Sequence, residues 1–191
     1  GTTFGAAVTS TGGTVTLTDT TGTIEFDGAL VAPTLTVSAG GGGYALNLDG
    51  GSTIAAAVTM SNTGAVRIGD GADTNTFTGG LVATAPSSLS VAGTIAANNQ
   101  AISLGDGGTA LTLTADTDVS AGNGVITLGG AVNGAHGLTL TTTGVANVDG
   151  VVGASAPITS LTSNAGGTLD LGANVSVAGG VDVNDAVTLA S

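Results

Sequence analysis

A chain of 191 residues with 13 acidic side chains against the single base Arg67, and a formal charge of -12, lacks the clustered Lys and Arg that nucleic-acid and anionic-membrane binding require. Its 35 glycines, three prolines and four aromatic residues describe a core of small and β-branched side chains, and the absence of cysteine removes disulfides, thiolate catalysis and zinc–cysteine sites. An apolar content of 41% excludes a disordered chain, while the longest unbroken apolar run, Ile54 to Val58, is far below the roughly 20 residues of a membrane-spanning helix.

Along the chain a short apolar-x-apolar triplet recurs. It stands at Val15-Thr16-Leu17, Leu35-Thr36-Val37, Leu46-Asn47-Leu48, Leu89-Ser90-Val91, Ile102-Ser103-Leu104, Leu111-Thr112-Leu113, Leu138-Thr139-Leu140, Leu169-Asp170-Leu171 and Val187-Thr188-Leu189. The period of two puts the apolar pair on one side of an extended strand and the central polar residue on the other. Gly-Gly, Asp-Gly, Asn-Gly and Ala-Gly pairs between triplets supply corners, where glycine takes positive φ without a Cβ penalty. No long helix fits, since each Gly in a helix interior costs about 1 kcal/mol. Pro33, Pro86 and Pro157, each preceded by Ala, belong at strand entries or corners because proline cannot donate to a ladder.

Longer recurrences organise the triplets. Phe26-Asp27-Gly28-Ala29-Leu30-Val31-Ala32-Pro33 returns 51 residues later as Phe77-Thr78-Gly79-Gly80-Leu81-Val82-Ala83, with Ala85-Pro86 behind it. A second step of 51 reaches Leu128-Gly129-Gly130-Ala131-Val132, and 20 residues after Leu128 stands Val148-Asp149-Gly150-Val151-Val152. Ala45-Leu46-Asn47-Leu48-Asp49-Gly50-Gly51 likewise resembles Ala101-Ile102-Ser103-Leu104-Gly105-Asp106-Gly107-Gly108. The pattern predicts one continuous parallel β-solenoid over residues 1–191, with a repeat of about 51 to 57 residues divided into units near 20. Roughly 8 to 10 coils stacked about 4.8 Å apart would make a rod of roughly 40 to 50 Å. An antiparallel β-sandwich is the competing fold, in which corner motifs recurring at related offsets are less expected.

Runs such as Gly130-Ala131-Val132-Asn133-Gly134-Ala135-His136-Gly137-Leu138-Thr139-Leu140, Gly167-Thr168-Leu169-Asp170-Leu171-Gly172-Ala173-Asn174-Val175 and Asp185-Ala186-Val187-Thr188-Leu189 carry a resemblance. They look like the repeats of very large bacterial β-strand-repeat exoproteins, the filamentous-haemagglutinin-like adhesins and autotransporter passengers. The likeness is clearest from Gly105 to Ser191. It implies a right-handed parallel β-helix, export from a bacterial cell, and a fibre role in the extracellular space or on the cell surface. The sequence reads as a segment of a longer repetitive chain.

Few residues suggest chemistry. Asp116 and Asp118, two apart, would share one face of a strand at a spacing suited to proton or metal chemistry. With no Trp, one Tyr and one Arg to hold a substrate, they are expected to form a corner, and the chain is not expected to be an enzyme. Calcium is the alternative to a cofactor-free protein, with candidate ligands Asp70, Asp73 and Asn75 in one oxygen-rich run and Asp182, Asn184 and Asp185 in another. Neither run matches the EF-hand or the tandem nonapeptide spacing. His136 reads as a lone loop histidine. Thr14-Val15-Thr16-Leu17-Thr18, Thr34-Leu35-Thr36, Thr112-Leu113-Thr114 and Thr139-Leu140-Thr141 raise the reading of an ice-binding threonine face, against ordinary strand propensity. Tyr44 reads as a corner packing residue rather than a glycan platform.

The function these features imply is structural: a segment of an extracellular fibre or adhesin stalk that assembles or extends by solenoid stacking. Its expected partner is itself, head-to-tail or lateral, because open coil ends leave strands unpaired. A surface-binding module that contacts glycans or another cell surface is the alternative.

Overall fold

In a computed structural model that describes residues 1–18, 21–164 and 166–189, the chain is all β and contains no helix among the described residues. Every ladder between its strands is parallel, which rules out the antiparallel sandwich. Among the described residues the one antiparallel contact is a local bridge from Asp106 to Thr109 within a turn.

The strands wind through three faces. The first face begins with Thr2–Phe4, Thr23–Phe26, Ala45–Leu48 and Val66–Ile68, continues through the opening residues of Leu89–Ala96 and Leu111–Gly122, and then takes in Val132–Asn133 and bridges at Val152 and Val175. The second runs from Val8–Thr9 through Leu30–Ala32, Ser52–Ile54, Thr74–Phe77, the closing parts of the same two long strands, Gly137–Thr142 and Ser160–Asn164 to Val181–Val183. The third stacks Thr14–Leu17, Thr34–Val37, Val58–Thr59, Leu81–Ala83, Ile102–Leu104, Ile126–Leu128, Val145–Val148, Thr168–Leu171 and Ala186–Leu189. The first and last strands of that stack are about eight turns apart, a rod of roughly 40 Å at the usual interstrand spacing.

The register shows what the 51-residue recurrence is. On the first face, successive partners lie 20 to 23 residues apart, as in Leu46 with Val66 and Val66 with Leu89. A step of 51 is therefore two turns plus one face, so the expected repeat of about 51 to 57 residues does not stack in register, whereas the units near 20 within it are the single turns. Phe26 closes a strand of the first face, Phe77 one of the second and Leu128 one of the third. The same strand-corner-strand phrase serves all three corners. The 20-residue step from Leu128 to Val148, by contrast, is one turn in register.

The interior is filled by inward rows. Leu46, Leu48, Ile68, Leu89 and Val91 on the first face, Ile54, Phe77, Ile95 and Leu140 on the second, and Leu104, Ile126 and Leu128 on the third are all fully buried. Tyr44 is buried too; its Oη donates to the carbonyls of Leu17 at 3.2 Å and Ser38 at 2.9 Å, ties the first two coils to the third, and presents no surface to a sugar. Corners are tight enough to need glycine: a Cβ on Gly50 would stand 2.3 Å from the carbonyl carbon of Gly28 on the coil below. Burial fades at the last described coil, where Val181, Val187 and Leu189 are 58%, 51% and 71% exposed although they continue inward rows. The triplet is the same there. What differs is that no further coil among the described residues lies over it.

Candidate functional site

The outward rows are mixed. The four Thr-x-Thr runs are distributed over the rod: Thr14 and Thr16 pair with Thr34 and Thr36 on the third face, Thr112 lies on the first, and Thr139 and Thr141 lie on the second. The second face comes nearest to a threonine array, with Thr74, Thr94, Thr139 and Thr162 in one row, but Asp118 interrupts it.

The two oxygen-rich runs are built differently. Asp70 is exposed and its backbone N–H reaches the Asp73 carboxylate at 3.5 Å, whereas Asn75 turns inward from the next strand and is fully buried. The corner thus separates Asn75 from the two aspartates. Asp185 is engaged by the coil beneath: it accepts from Ser163 Oγ at 2.6 Å and from the N–H groups of Gly166 and Gly167 at 2.8 and 3.0 Å. Asn184 Nδ2 donates to Asp182 Oδ1 at 3.2 Å on the exposed side.

Asp116 and Asp118 do share an outer face. Asp116 is exposed and accepts from Gly137 N–H at 2.7 Å, with His136 Nδ1 at 4.0 Å. Asp118 is half-buried, accepts from Thr141 Oγ1 at 3.1 Å, and is held above its ordinary carboxyl range by that burial. Both line a surface notch of about 300 Å³ on the edge between the first and second faces.

A second charged constellation is invisible to local spacing. Carboxylate oxygens of Glu25, Asp27 and Asp49, contributed by the second and third coils, lie within 4.8 Å of one another. Arg67, on the fourth coil, closes over them: its Nε donates to Asp49 Oδ1 at 2.7 Å, its Nη2 to Asp49 Oδ2, and Nη2 stands 3.5 Å from Glu25 Oε1. The hydrogen bond to Asp49 holds the guanidinium pKa above its ordinary value. Asp49 is 5% exposed and would otherwise be a buried, uncompensated charge. Because the Arg67 side chain is 38% exposed, solvent screens much of the gain. Replacement Arg67→Gln is expected to lower the unfolding free energy by about 1 kcal/mol, with a smaller loss at high salt, read from urea midpoints at two ionic strengths.

The rod has an opening at each end. One, of about 330 Å³, is apolar and lined by residues that include Leu169, Leu171, Val181, Val183 and Val187; the other, of about 300 Å³, is mixed, with Phe4, Leu17 and Ile24 beside Thr2, Thr16 and Thr18. Phe4 stacks on Phe26 with ring centroids 4.8 Å apart. No family model, curated protein or solved structure matches this chain. Among the described residues, no helix is long and apolar enough to cross a membrane.

Proposed function

We propose that this solenoid is a structural segment of an extracellular fibre or stalk of the bacterial exoprotein kind, extended by stacking a further coil on its ends. The observation that carries this reading is the uninterrupted stack: three parallel faces climb about eight turns, each turn repeating the ladder hydrogen bonds of the one below and burying its inward apolar side chains against it. Adding a coil continues three parallel ladders at once and buries those side chains, which favours axial growth over lateral contact. The covering coil belongs either to a longer chain or to a second copy, a heterologous contact that need not close.

Sedimentation velocity over a broad concentration range, with electron microscopy of the same samples, tests the reading. Rods one solenoid wide that lengthen with concentration are expected. A protein that remains a well-behaved monomer throughout, with a blunt asymmetry unchanged by concentration, would overturn self-stacking. A native chain that proves no longer than this segment would then overturn the stalk as well.

A further inference from the structure

The interior of the rod is not equally apolar at every level. Along the second face the inward row climbs in register through Leu30, Ser52, Asn75, Ile95, Val119 and Leu140. Ser52 and Asn75 are both buried, so a polar step crosses the core between the third and fourth coils, with apolar side chains above and below it. Among the described residues, the buried side-chain atoms without a hydrogen-bond partner are Asn75 Oδ1, Asn75 Nδ2 and Asn62 Oδ1. All three belong to those two coils. Asn62 stands near the end of the third coil, where its Nδ2 donates to the Tyr44 carbonyl at 3.1 Å and its Oδ1 is left over.

The ladders thin at the same level. Between the third and fourth coils the second face pairs only Thr53 with Thr76 and Ile54 with Phe77, and the third face only Val58 with Leu81 and Thr59 with Val82. Between the sixth and seventh coils the second-face ladder runs from Thr117 with Leu138 to Gly122 with Thr142, and the third-face ladder from Ile126 with Ala146 to Leu128 with Val148. On the outside of the thin junction lies Arg67, the chain's single arginine, which reaches from the fourth coil down to Asp49 and Glu25.

Both features lower the same free energy. Parting two coils higher in the rod exposes hydrocarbon to water and breaks longer ladders. Parting the third coil from the fourth breaks shorter ones, and water then reaches three polar atoms that have no partner in the closed rod. The cost of opening is therefore least at that plane. We infer that the junction between the third and fourth coils is an opening plane built into the fold: in the native state the first three coils part from the fourth as one unit, with Arg67 as the outer latch, while the fifth to seventh coils stay closed. The opening is a rare fluctuation, so denaturant still unfolds the chain in one transition. This goes beyond the fibre reading and does not rest on it.

Native-state hydrogen exchange of the full chain, resolved residue by residue by NMR, tests the plane. The amides that bridge it include Gly69 to the Leu48 carbonyl, Val58 to Gly80 and Thr78 to Ile54; those higher up include Ala97 to Ser120, Leu111 to Ala131 and Gly129 to Leu104. The bridging set is expected to exchange about tenfold faster or more, with protection stepping up past the fourth coil. Asn75→Val should slow the bridging set about fivefold or more, and Arg67→Gln should speed it about fivefold. Ile126→Val, in the core of the sixth coil, should speed the higher set about threefold or more and leave the bridging set within about twofold, because opening at the plane does not disturb that coil. Protection that rises evenly from the first coil to the fifth would be fraying from the end and overturns the inference. So does an Ile126→Val effect of equal size on both sets, which would mean that the bridging amides exchange only by global unfolding, and so does an Asn75→Val variant whose bridging set is not slowed. If a variant fails to fold, the step in the unaltered chain decides.

Discussion

Replacing Phe77 with alanine is expected to cost about 3 to 5 kcal/mol of unfolding free energy, the range for an aromatic truncated in a core that cannot collapse around the hole. Phe77 is fully buried on the second face of the fourth coil, in register with Ile54 below. The backbone around it is fixed on both sides by parallel ladders, so neighbouring coils have little freedom to close the space. The informative comparison is Phe4→Ala. Phe4 is 37% exposed on the first coil and gives up mainly its stacking on Phe26, so its loss should be about 1 kcal/mol. Urea denaturation followed by far-UV circular dichroism reads both. Equal costs would show that burial along the rod does not grade stability as the terminal exposure implies.

Asn75→Val should act in the opposite direction, stabilising the chain by about 1 to 3 kcal/mol. Asn75 occupies an inward position on the second face, paired with Ile95, and is fully buried. Neither its Oδ1 nor its Nδ2 finds a hydrogen-bond partner in the structure. A β-branched side chain suits both the strand and the neighbouring Ile95, and removes two unpaired polar atoms from the interior. A rise in the urea midpoint without a change in slope is the expected result. A fall would mean that the amide is satisfied in solution by a buried water, and that this inward position is polar for a reason.

The difference between these two residues marks how far the sequence could be read. The apolar-x-apolar triplets identify the inward rows, because side-chain direction in a strand depends only on a period of two. Leu46, Leu48, Leu89, Val91, Leu111 and Leu113 are all buried in that way. Asn75 breaks the rule: next to Asp70 and Asp73 it looks like one ligand of an oxygen cluster, and only the corner geometry shows it turned inward. The Arg67 cluster was illegible for another reason. Asp49 and Glu25 lie 18 and 42 residues from Arg67, and which acids face it depends on the length of each turn rather than on local spacing. The notch depends on a difference between turns, one residue on the fifth coil against three on the sixth, which no single segment displays.

Alternation and glycine corners, both local, were enough to specify short strands with an apolar side and a Thr- and Asn-rich side; the longer recurrences favoured a solenoid over a sandwich, and the parallel ladders decided it. Local rules could not set the pitch. A 51-residue echo and a 20-residue echo look equally valid in one dimension, and only stacking shows that the first steps from face to face while the second climbs one turn. Tertiary structure decided the rest through register: it placed Glu25, Asp27 and Asp49 beneath Arg67, distributed the threonine pairs over three faces, and recessed one corner beside Asp116 and Asp118. The physical reason is that ladder hydrogen bonds fix which residues meet between coils, and that choice depends on the sum of corner lengths around each turn.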